Sequence, residues 1–289
     1  MRFEFVESVL RQLLEERVLK QTDSLLAVCA GDEEKKLFVT LGFSDVTISN
    51  LDERIVDNRD SEFKWSLQDA QNLSFGNAQF DYAFVSDGLH HCASPHRALL
   101  EMYRVARKGV VMFEGRDSLL MRLANQLHMS PEYELEAVVG NDCRFGGVNN
   151  TQVPNYIYRW TERELKKTIR ACDPSGRHIF RFFYGLSLPY EASSMRKSNL
   201  KLNIVRIVAP LLSVCTRVFV RQSNLFAMIV AKPIDPRDLW PWLETRNGTV
   251  MFNRSYAEKI FKSQVPKPSR EEKKVFSDKP SIVGDAIVA

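Results

Sequence analysis

Short apolar runs alternate with segments of helical periodicity between residues 24 and 114, and this alternation constrains the fold more than any other feature. Apolar runs lie at 24–30, 46–49, 65–67, 80–86 and 110–114, and helical spacing occupies 33–41 and 94–107. Strands that alternate with helices in this way form βαβ units on a parallel sheet. The nearly continuous apolar character of the runs is typical of strands covered on both faces. We therefore predict an α/β fold with a doubly wound, mostly parallel sheet.

The residues that follow each predicted strand are the candidates for a ligand site. Right-handed crossovers place the carboxyl ends of parallel strands on one edge of the sheet, and ligands of open α/β sheets bind at that edge. Four segments come directly after strands: 29–32, 50–52, 86–91 and 114–116. We expect these segments to meet around one cleft.

Composition argues against several classes of protein. The net charge of +4 is a weak excess without a clustered basic face, so no nucleic-acid partner is predicted. The five cysteines are widely spaced and form no CxxC pair, which favours reduced thiols in a cytoplasmic protein and predicts no metal site. The first residues do not resemble a signal peptide, and no apolar stretch has the length of a membrane-spanning helix.

An ordered string of motifs runs from residue 69 to residue 109. It consists of Asp69-Ala70-Gln71-Asn72-Leu73-Ser74-Phe75, Phe80-Asp81, Leu89-His90-His91, Pro95, Leu100-Glu101-Met102-Tyr103-Arg104-Val105 and Lys108-Gly109. The string resembles the class I S-adenosylmethionine (SAM) methyltransferases, especially the type 11-like group, whose middle reads D-A-x-x-L-x-F, F-D, LHH, P, L-x-E-x-x-R-V and K-G. The resemblance covers 24–114 by motif and 160–232 by the pattern of elements.

This resemblance implies a Rossmann-like sheet of about seven strands, the last of them antiparallel, with helical insertions and with SAM as the cofactor. We assign residues 1–235 to the methyltransferase domain and 236–289 to a partly flexible C-terminal extension. Similar proteins occur in bacterial surface-polysaccharide gene neighbourhoods, which makes a saccharide or a lipid-linked saccharide a candidate acceptor.

The loop after the first strand departs from the family's pattern D/E-x-G-x-G-x-G. Here it reads Ala27-Val28-Cys29-Ala30-Gly31-Asp32-Glu33, with one glycine remaining. Small residues still let the backbone approach a ligand. The acid that usually ends the second strand and binds the ribose hydroxyls aligns with Asn50, and Asp52 follows two residues later. An ordinary strand-to-helix turn and a solvated turn are the alternative interpretations of these two segments.

The predicted cofactor-binding residues extend beyond those loops. The resemblance implies that Asp69 and Ala70 contact the adenine, although Asp69 would also suit a helix cap. Ser86 follows the strong strand 80–86. The full predicted set is Cys29, Ala30, Gly31, Asn50, Asp52, Asp69, Ala70 and Ser86.

Three residues after the strand 80–86 are the predicted catalytic groups. His90 or His91 would act as general base, because imidazole accepts a proton near neutral pH, and Asp87 would orient the base or the cofactor. Packing and cofactor contacts are the alternative roles of the two histidines. A metal interpretation of Asp87 with the histidines needs more ligands than this segment offers.

The segment 115–159 is predicted to be an insertion that covers the acceptor. Polar groups with interleaved tyrosines suit a sugar, whose faces stack on rings. The predicted acceptor-binding residues are Glu114, Asn149, Tyr156, Tyr158 and Arg159. A surface loop held by its own aromatic residues is the alternative.

The segment 195–221 is predicted to be a basic helical insert. It contains six basic residues, no acid and a regular supply of apolar side chains. One interpretation is peripheral contact with an anionic membrane at the cytoplasmic face. The preferred alternative is a helix that covers the sheet edge or forms a homodimer interface.

The sequence thus predicts an enzyme that transfers a methyl group from SAM to an oxygen or nitrogen of a small-molecule or lipid-linked acceptor, with a saccharide as one candidate. A non-catalytic methyltransferase-like binding protein is the main alternative. A nicotinamide-dependent enzyme is disfavoured, because GxGxxG is absent after the first strand.

Overall fold

The computed structural model describes residues 2–55, 62–188, 200–233 and 235–261. Part of the predicted basic insert, residues 195–199, and the last part of the C-terminal extension, 262–289, lie outside the described residues.

The core of the chain is a sheet of seven strands. They are β1 Leu25–Ala27, β2 Val46–Asn50, β3 Lys64–Leu67, β4 Phe80–Ser86, β5 Ala106–Gly115, β6 Ile179–Gly185 and β7 Leu225–Ala231. Their order is β3-β2-β1-β4-β5-β7-β6. Strands β1 to β5 pair in parallel, whereas β7 is antiparallel to both β5 and β6. The predicted α/β, Rossmann-like sheet with an antiparallel last strand is therefore confirmed.

Eight helices and a hairpin complete the described fold. They are α1 Arg2–Glu15, α2 Asp32–Leu41, α3 Pro95–Val105, α4 Leu119–Gln126, α5 Leu135–Val139, α6 Glu162–Cys172, α7 Leu200–Val218 and α8 Arg254–Phe261, with β8 Leu243–Arg246 and β9 Thr249–Phe252 forming the hairpin. Among the described residues, no helix combines the length and the apolarity needed to cross a bilayer.

Helices cover both faces of the sheet, because side chains of successive strand residues point to opposite faces. In β4, Phe84 packs in a cluster with Leu13 of α1 and Phe38 of α2. Its neighbour Val85 packs on the other face with residues of α3 and α6, including Met102. All of these side chains are almost fully buried. Full burial of one such side chain contributes roughly 1.5–3 kcal/mol, so the two apolar layers hold the loops at the strand ends in place.

The boundary between α3 and β5 differs from the predicted one. The sequence predicts a helix to Arg107 that Gly109 terminates, whereas α3 ends at Val105 and β5 already begins at Ala106. Gly109 lies inside β5, where an added Cβ would stand 2.2 Å from the backbone oxygen of Val230 in β7. The glycine is thus required for close approach of two strands and does not cap the helix.

Candidate functional site

A cleft of about 300 Å³ opens at the carboxyl edge of the sheet. Residues that follow β1, β2, β3 and β4 line it, as the parallel arrangement of these strands predicts. Of the predicted cofactor-binding residues, Cys29, Asn50, Asp52, Asp69 and Ala70 are on its lining. Ala30, Gly31 and Ser86 are not on the described lining.

The loop after β1 passes very close to the loop after β4. Cys29 adopts a left-handed conformation, with φ of 52°, a region that suits glycine better than residues with a Cβ. It stands at the first glycine position of the family pattern. A Cβ added to Gly88 would lie 2.4 Å from the Cβ of Cys29. The loops after β1 and β4 can therefore pack closely because Gly88, on the loop after β4, has no side chain.

Backbone hydrogen bonds of Ala30 and Gly31 fix the conformation of the loop after β1. The backbone oxygen of Ala30 accepts a hydrogen bond from Asn50 Nδ2 at 3.0 Å, which ties the β1 loop to the end of β2. The backbone N–H of Gly31 donates to Glu34 Oε2 at 2.8 Å at the start of α2. A hydrogen bond with Cys92 and burial raise the pKa of the Cys29 thiol, so this thiol is neutral in the cleft wall.

The carboxylate of Asp52 is already paired where the cleft meets the segment after β2. Arg54 Nη2 donates to Asp52 Oδ2 at 2.5 Å, and Arg54 Nε donates to both carboxylate oxygens. The hydrogen bonds from Arg54 lower the pKa of Asp52. A ligand hydroxyl at this point would meet an ionised carboxylate that a guanidinium holds in a fixed orientation.

Asp69 and Gln71 form the wall that follows β3. Asp69 Oδ1 accepts from the backbone N–H of Gln71 at 2.9 Å and from Gln71 Nε2 at 3.1 Å. This side-chain turn fixes the orientation of the carboxylate. Asp69 therefore lines the cleft and also stabilises a turn, while its contact with the adenine stays a prediction.

The insertion at 115–159 folds over the same cleft. Asn149 Oδ1 accepts from Gln71 Nε2 at 3.0 Å and from the backbone N–H of Ala93 at 2.9 Å. On the opposite wall, Arg54 Nη2 donates to Asn141 Oδ1 at 3.1 Å, and its guanidinium lies 4.1 Å from the ring centre of Phe145. The structure thus places Asn149, a predicted acceptor-binding residue, on the lining of the predicted cofactor cleft.

Two histidines and two glutamates form a compact cluster beside the cleft, which we call the His–Glu cluster. Buried Glu114, at the end of β5, accepts from the backbone N–H of Leu89 at 2.7 Å, and its other oxygen lies 2.8 Å from His90 Nδ1. Glu134 Oε2 lies 3.3 Å from the Nε2 atoms of both His90 and His91. His91 and Asp87 line the cleft, whereas His90 lies behind them.

The charges of the His–Glu cluster depend on each other. Burial disfavours the charged form of His90, but Glu114 and Glu134 outweigh it and raise the pKa of His90 to about 9. Burial also opposes ionisation of Glu134, yet the two imidazoles lower its pKa to about 2. Burial and the charge on His90 lower the pKa of His91. At neutral pH the cluster therefore holds a proton on His90 between two carboxylates.

The other predicted acceptor-binding residues mainly stabilise the insertion. The Tyr158 hydroxyl donates to Glu164 of α6. Arg159 Nη2 donates to Ser130 Oγ at 3.0 Å. Half-exposed Tyr156 packs edge-on against Tyr133, with ring centres 5.6 Å apart.

Glu134, Arg54 and Gln71 are among the residues of the site that were not predicted from the sequence. Glu134 belongs to the irregular part of the insertion, where neither periodicity nor a motif marks it. Arg54 and Gln71 flank predicted residues and could have been found as the partners that buried carboxylates require. Glu134 had no comparable signal.

Comparison with known proteins supports the class predicted from the motifs. Residues 26–113 match the model of a family described as methyltransferase domain. None of the curated sequences compared with the chain matches it significantly.

The solved structures to which the chain is similar include methyltransferases of low sequence identity. A SAM-dependent methyltransferase from Archaeoglobus fulgidus is 15% identical, with a TM-score of 0.48 over 80% of this chain and 94% of that chain. Magnesium protoporphyrin IX methyltransferase from Synechocystis PCC 6803 with bound SAH is 12% identical, with a TM-score of 0.48 over 80% and 83%. A SAM-dependent methyltransferase from Methanosarcina mazei is 16% identical, with a TM-score of 0.44 over 77% and 98%.

Proposed function

We propose that this chain, a SAM-dependent methyltransferase by its domain match and sheet order, methylates an oxygen or nitrogen of a lipid-linked acceptor such as a saccharide. The observation that supports methyl transfer most directly is that the cofactor cleft adjoins the His–Glu cluster. The cofactor cleft and the His–Glu cluster share His91, and Asp87, which lies close to His90 and Glu114 of the cluster, also lines the cleft. A ligand in the cleft would therefore adjoin groups that can handle a proton.

The residues of the cleft suit the chemistry of SAM. Asp69, fixed by Gln71, would accept from the exocyclic amine of the adenine, and the ionised Asp52 would accept from the ribose hydroxyls. The methionine end of SAM would lie beside Cys29 and Gly88, which both line the cleft. When bound, SAM supplies an electrophilic methyl group on a sulfonium.

The chain's own contribution to methyl transfer would be alignment and proton handling. Fixing the acceptor in line with the methyl group supplies most of the catalysis in such reactions. The acceptor would enter beside His91 and Glu134, both of which are partly exposed, while buried His90 and Glu114 hold them in place. The His–Glu cluster would take part in removal of the acceptor's proton.

Titration with SAH tests the cofactor part of the proposal. We expect SAM and SAH to bind the purified protein with micromolar affinity and NAD(P) not to bind. Asp69→Asn keeps an acceptor for the backbone N–H of Gln71 but removes the charge. Loss of a charge-assisted hydrogen bond costs about 1.5–3 kcal/mol, so SAH affinity should fall by roughly 10–100-fold.

The control for this titration is Asp173→Asn, since Asp173 lies in a separate group with Tyr103 and His178. It should leave SAH affinity unchanged. If folded wild-type protein bound neither SAM nor SAH, the non-catalytic binding protein would become the better hypothesis.

The proposal that the acceptor is lipid-linked is based on exposed apolar side chains of helices α7 and α4, which we call the apolar platform. On α7, Ile207 is 79% exposed and Leu211 is 70% exposed. On α4, Leu119 is 68% exposed. The start of α4 contacts the segment after α7, where Leu120 N–H donates to Gln222 Oε1 at 3.3 Å, and Met129 packs against the inner face of α7. Ile207 and Leu211 are four residues apart and so lie on the same face of α7, and an exposed apolar face of this kind marks a binding surface.

Charge favours an anionic lipid surface as the partner of the apolar platform. Helix α7 contains Arg206 and Arg217 and no acidic residue. Basic residues beside an apolar helix face are typical of helices that lie in the membrane interface. The acceptor would then be held at the cytoplasmic face of the membrane by its own lipid.

Vesicle sedimentation tests the apolar platform. The wild-type protein should sediment with vesicles that contain phosphatidylglycerol, and Ile207→Ser with Leu211→Ser should reduce the bound fraction at least about tenfold, because roughly 0.8 kcal/mol is lost per buried CH₂. The matched control is Val39→Ser on α2, which is also exposed. Equal binding of all three proteins would contradict the proposal, and a shift from dimer to monomer in the double variant would indicate a homodimer interface instead.

A further inference from the structure

We propose that His90, His91 and Glu134 bind a divalent transition-metal cation of the zinc type on the acceptor side of the cleft. Its catalytic use rests on the proposed methyl transfer, whereas its occupancy does not. This metal site was not predicted from the sequence, because its third ligand lies in the insertion.

The donor atoms have the spacing of a metal site. His90 Nε2 and His91 Nε2 each lie 3.3 Å from the same carboxylate oxygen, Glu134 Oε2, and all three atoms lie within 4.8 Å of one another. A tetrahedral zinc ion has ligands at about 2.0–2.1 Å, which places its donor atoms roughly 3.3 Å apart. Two imidazoles with one carboxylate and an open position is the ligand set of many catalytic zinc sites.

A second layer of hydrogen bonds prepares these ligands for a cation. Glu114 Oε2 lies 2.8 Å from His90 Nδ1, so one ring proton is held there and Nε2 is directed towards Glu134. A cation bound at Nε2 would displace the second proton of His90 to solvent. Asn155 Nδ2 donates to Glu134 Oε2 at 3.3 Å. A carboxylate behind a ligating histidine is the usual arrangement in metalloproteins, because it fixes the tautomer and raises the basicity of the ligand.

Charge and access also favour a cation. The carboxylates of Glu114 and Glu134 face the two imidazoles, and Asp87 lies close enough to form a second donor group with His90 and Glu114. His90 and Glu114 are buried, whereas the His91 and Glu134 side chains are 30% and 32% exposed. The cation would therefore be held from behind by buried groups and would have an open position towards the cleft.

A cation in this position would define the acceptor more narrowly. A bound divalent ion lowers the pKa of a hydroxyl that contacts it, so an oxygen acceptor gains more from this site than an amine. A sugar hydroxyl presented at the mouth of the cleft fits that chemistry.

Equilibrium dialysis tests occupancy without any acceptor. Tag-free wild-type protein, stripped with chelator, is dialysed against micromolar Zn²⁺ and its metal content is measured. We expect one zinc per chain, displaced by excess chelator. Glu134→Gln and His91→Gln should each lose this equivalent, and Glu114→Gln should weaken binding by about 10–100-fold. His96→Gln is the matched control, because His96 Nε2 pairs with Glu164 at 3.0 Å outside the cluster.

Co²⁺ provides a spectroscopic measurement on the same proteins. The wild type and His96→Gln should show the strong visible absorption of tetrahedral Co²⁺, and Glu134→Gln should not. Absence of Zn²⁺ binding in the wild type, or equal binding by the wild type, Glu134→Gln and His91→Gln, would overturn the metal site. SAH titration of each variant separates this outcome from failure of the methyltransferase proposal, since SAH should bind whether or not zinc does.

Discussion

Replacing Gly88 with valine should abolish measurable SAH binding. An added Cβ at this position would stand 2.4 Å from Cys29 Cβ and 3.1 Å from Val85 Cγ2. Neither neighbour can retreat easily, because Cys29 is in a tight turn and Val85 is in the central strand β4. Overpacking of this kind costs about 1–3 kcal/mol per site and displaces the backbone. At the upper end of this range SAH affinity should fall by roughly 100-fold, which takes a micromolar ligand to the limit of detection by calorimetric titration.

A second substitution should partly reverse this loss. Cys29→Gly removes the Cβ that Gly88→Ala would strike, and it places glycine where the backbone has a φ of 52°. The double variant Cys29→Gly with Gly88→Ala should therefore bind SAH more tightly than Gly88→Ala alone. If the double variant binds no better, the close contact between the two loops does not control the cofactor site.

Replacing His90 and His91 together with glutamine should lower turnover by about 10²–10⁴-fold, the usual contribution of positioned acid–base groups. Affinity for SAH should change little, because the predicted cofactor contacts lie at Asp52, Asp69 and the Cys29 loop. The measurement is transfer of radiolabelled methyl groups from SAM into a lipid extract of cells that express the chain.

His96→Gln serves again as the control in this experiment, since its imidazole pairs with Glu164 of α6. It should retain turnover. If the double histidine variant also retains turnover, the His–Glu cluster has no part in proton removal. If it loses SAH binding as strongly as turnover, its role is in the cofactor site.

Much of the fold follows from local pattern. Apolar runs of strand length, interrupted by helical spacing, specify β1, β2, β4 and β5, since each run must be covered on both faces. The boundary between α3 and β5 was misplaced because Gly109 has two local interpretations. Only its contact with Val230 of the distant strand β7 shows that the glycine serves strand packing.

Part of the candidate site could likewise be predicted from the sequence, and part could not. Asp69, Asn50 and His91 could be predicted as cleft residues because parallel strands carry their carboxyl ends to one edge wherever the rest of the chain goes. The two histidines were predicted as candidate catalytic groups, a role that stays a prediction, but their partners could not be predicted. Glu134 reaches them only because the insertion folds back across the cleft.

By itself, the amino-acid sequence determined the α/β class, the doubly wound sheet, the methyltransferase motifs and the edge of the sheet at which the cleft opens. These properties depend on hydrophobic periodicity, which is visible in short stretches of sequence, and on the general geometry of parallel sheets. The tertiary structure alone decided that Arg54 pairs with Asp52, that Gln71 pairs with Asn149 across the cleft wall, and that Glu134 joins His90 and His91. Such contacts depend on the conformation of irregular segments. That conformation is determined by contacts between side chains that are far apart in sequence, and hydrophobic periodicity does not predict such contacts.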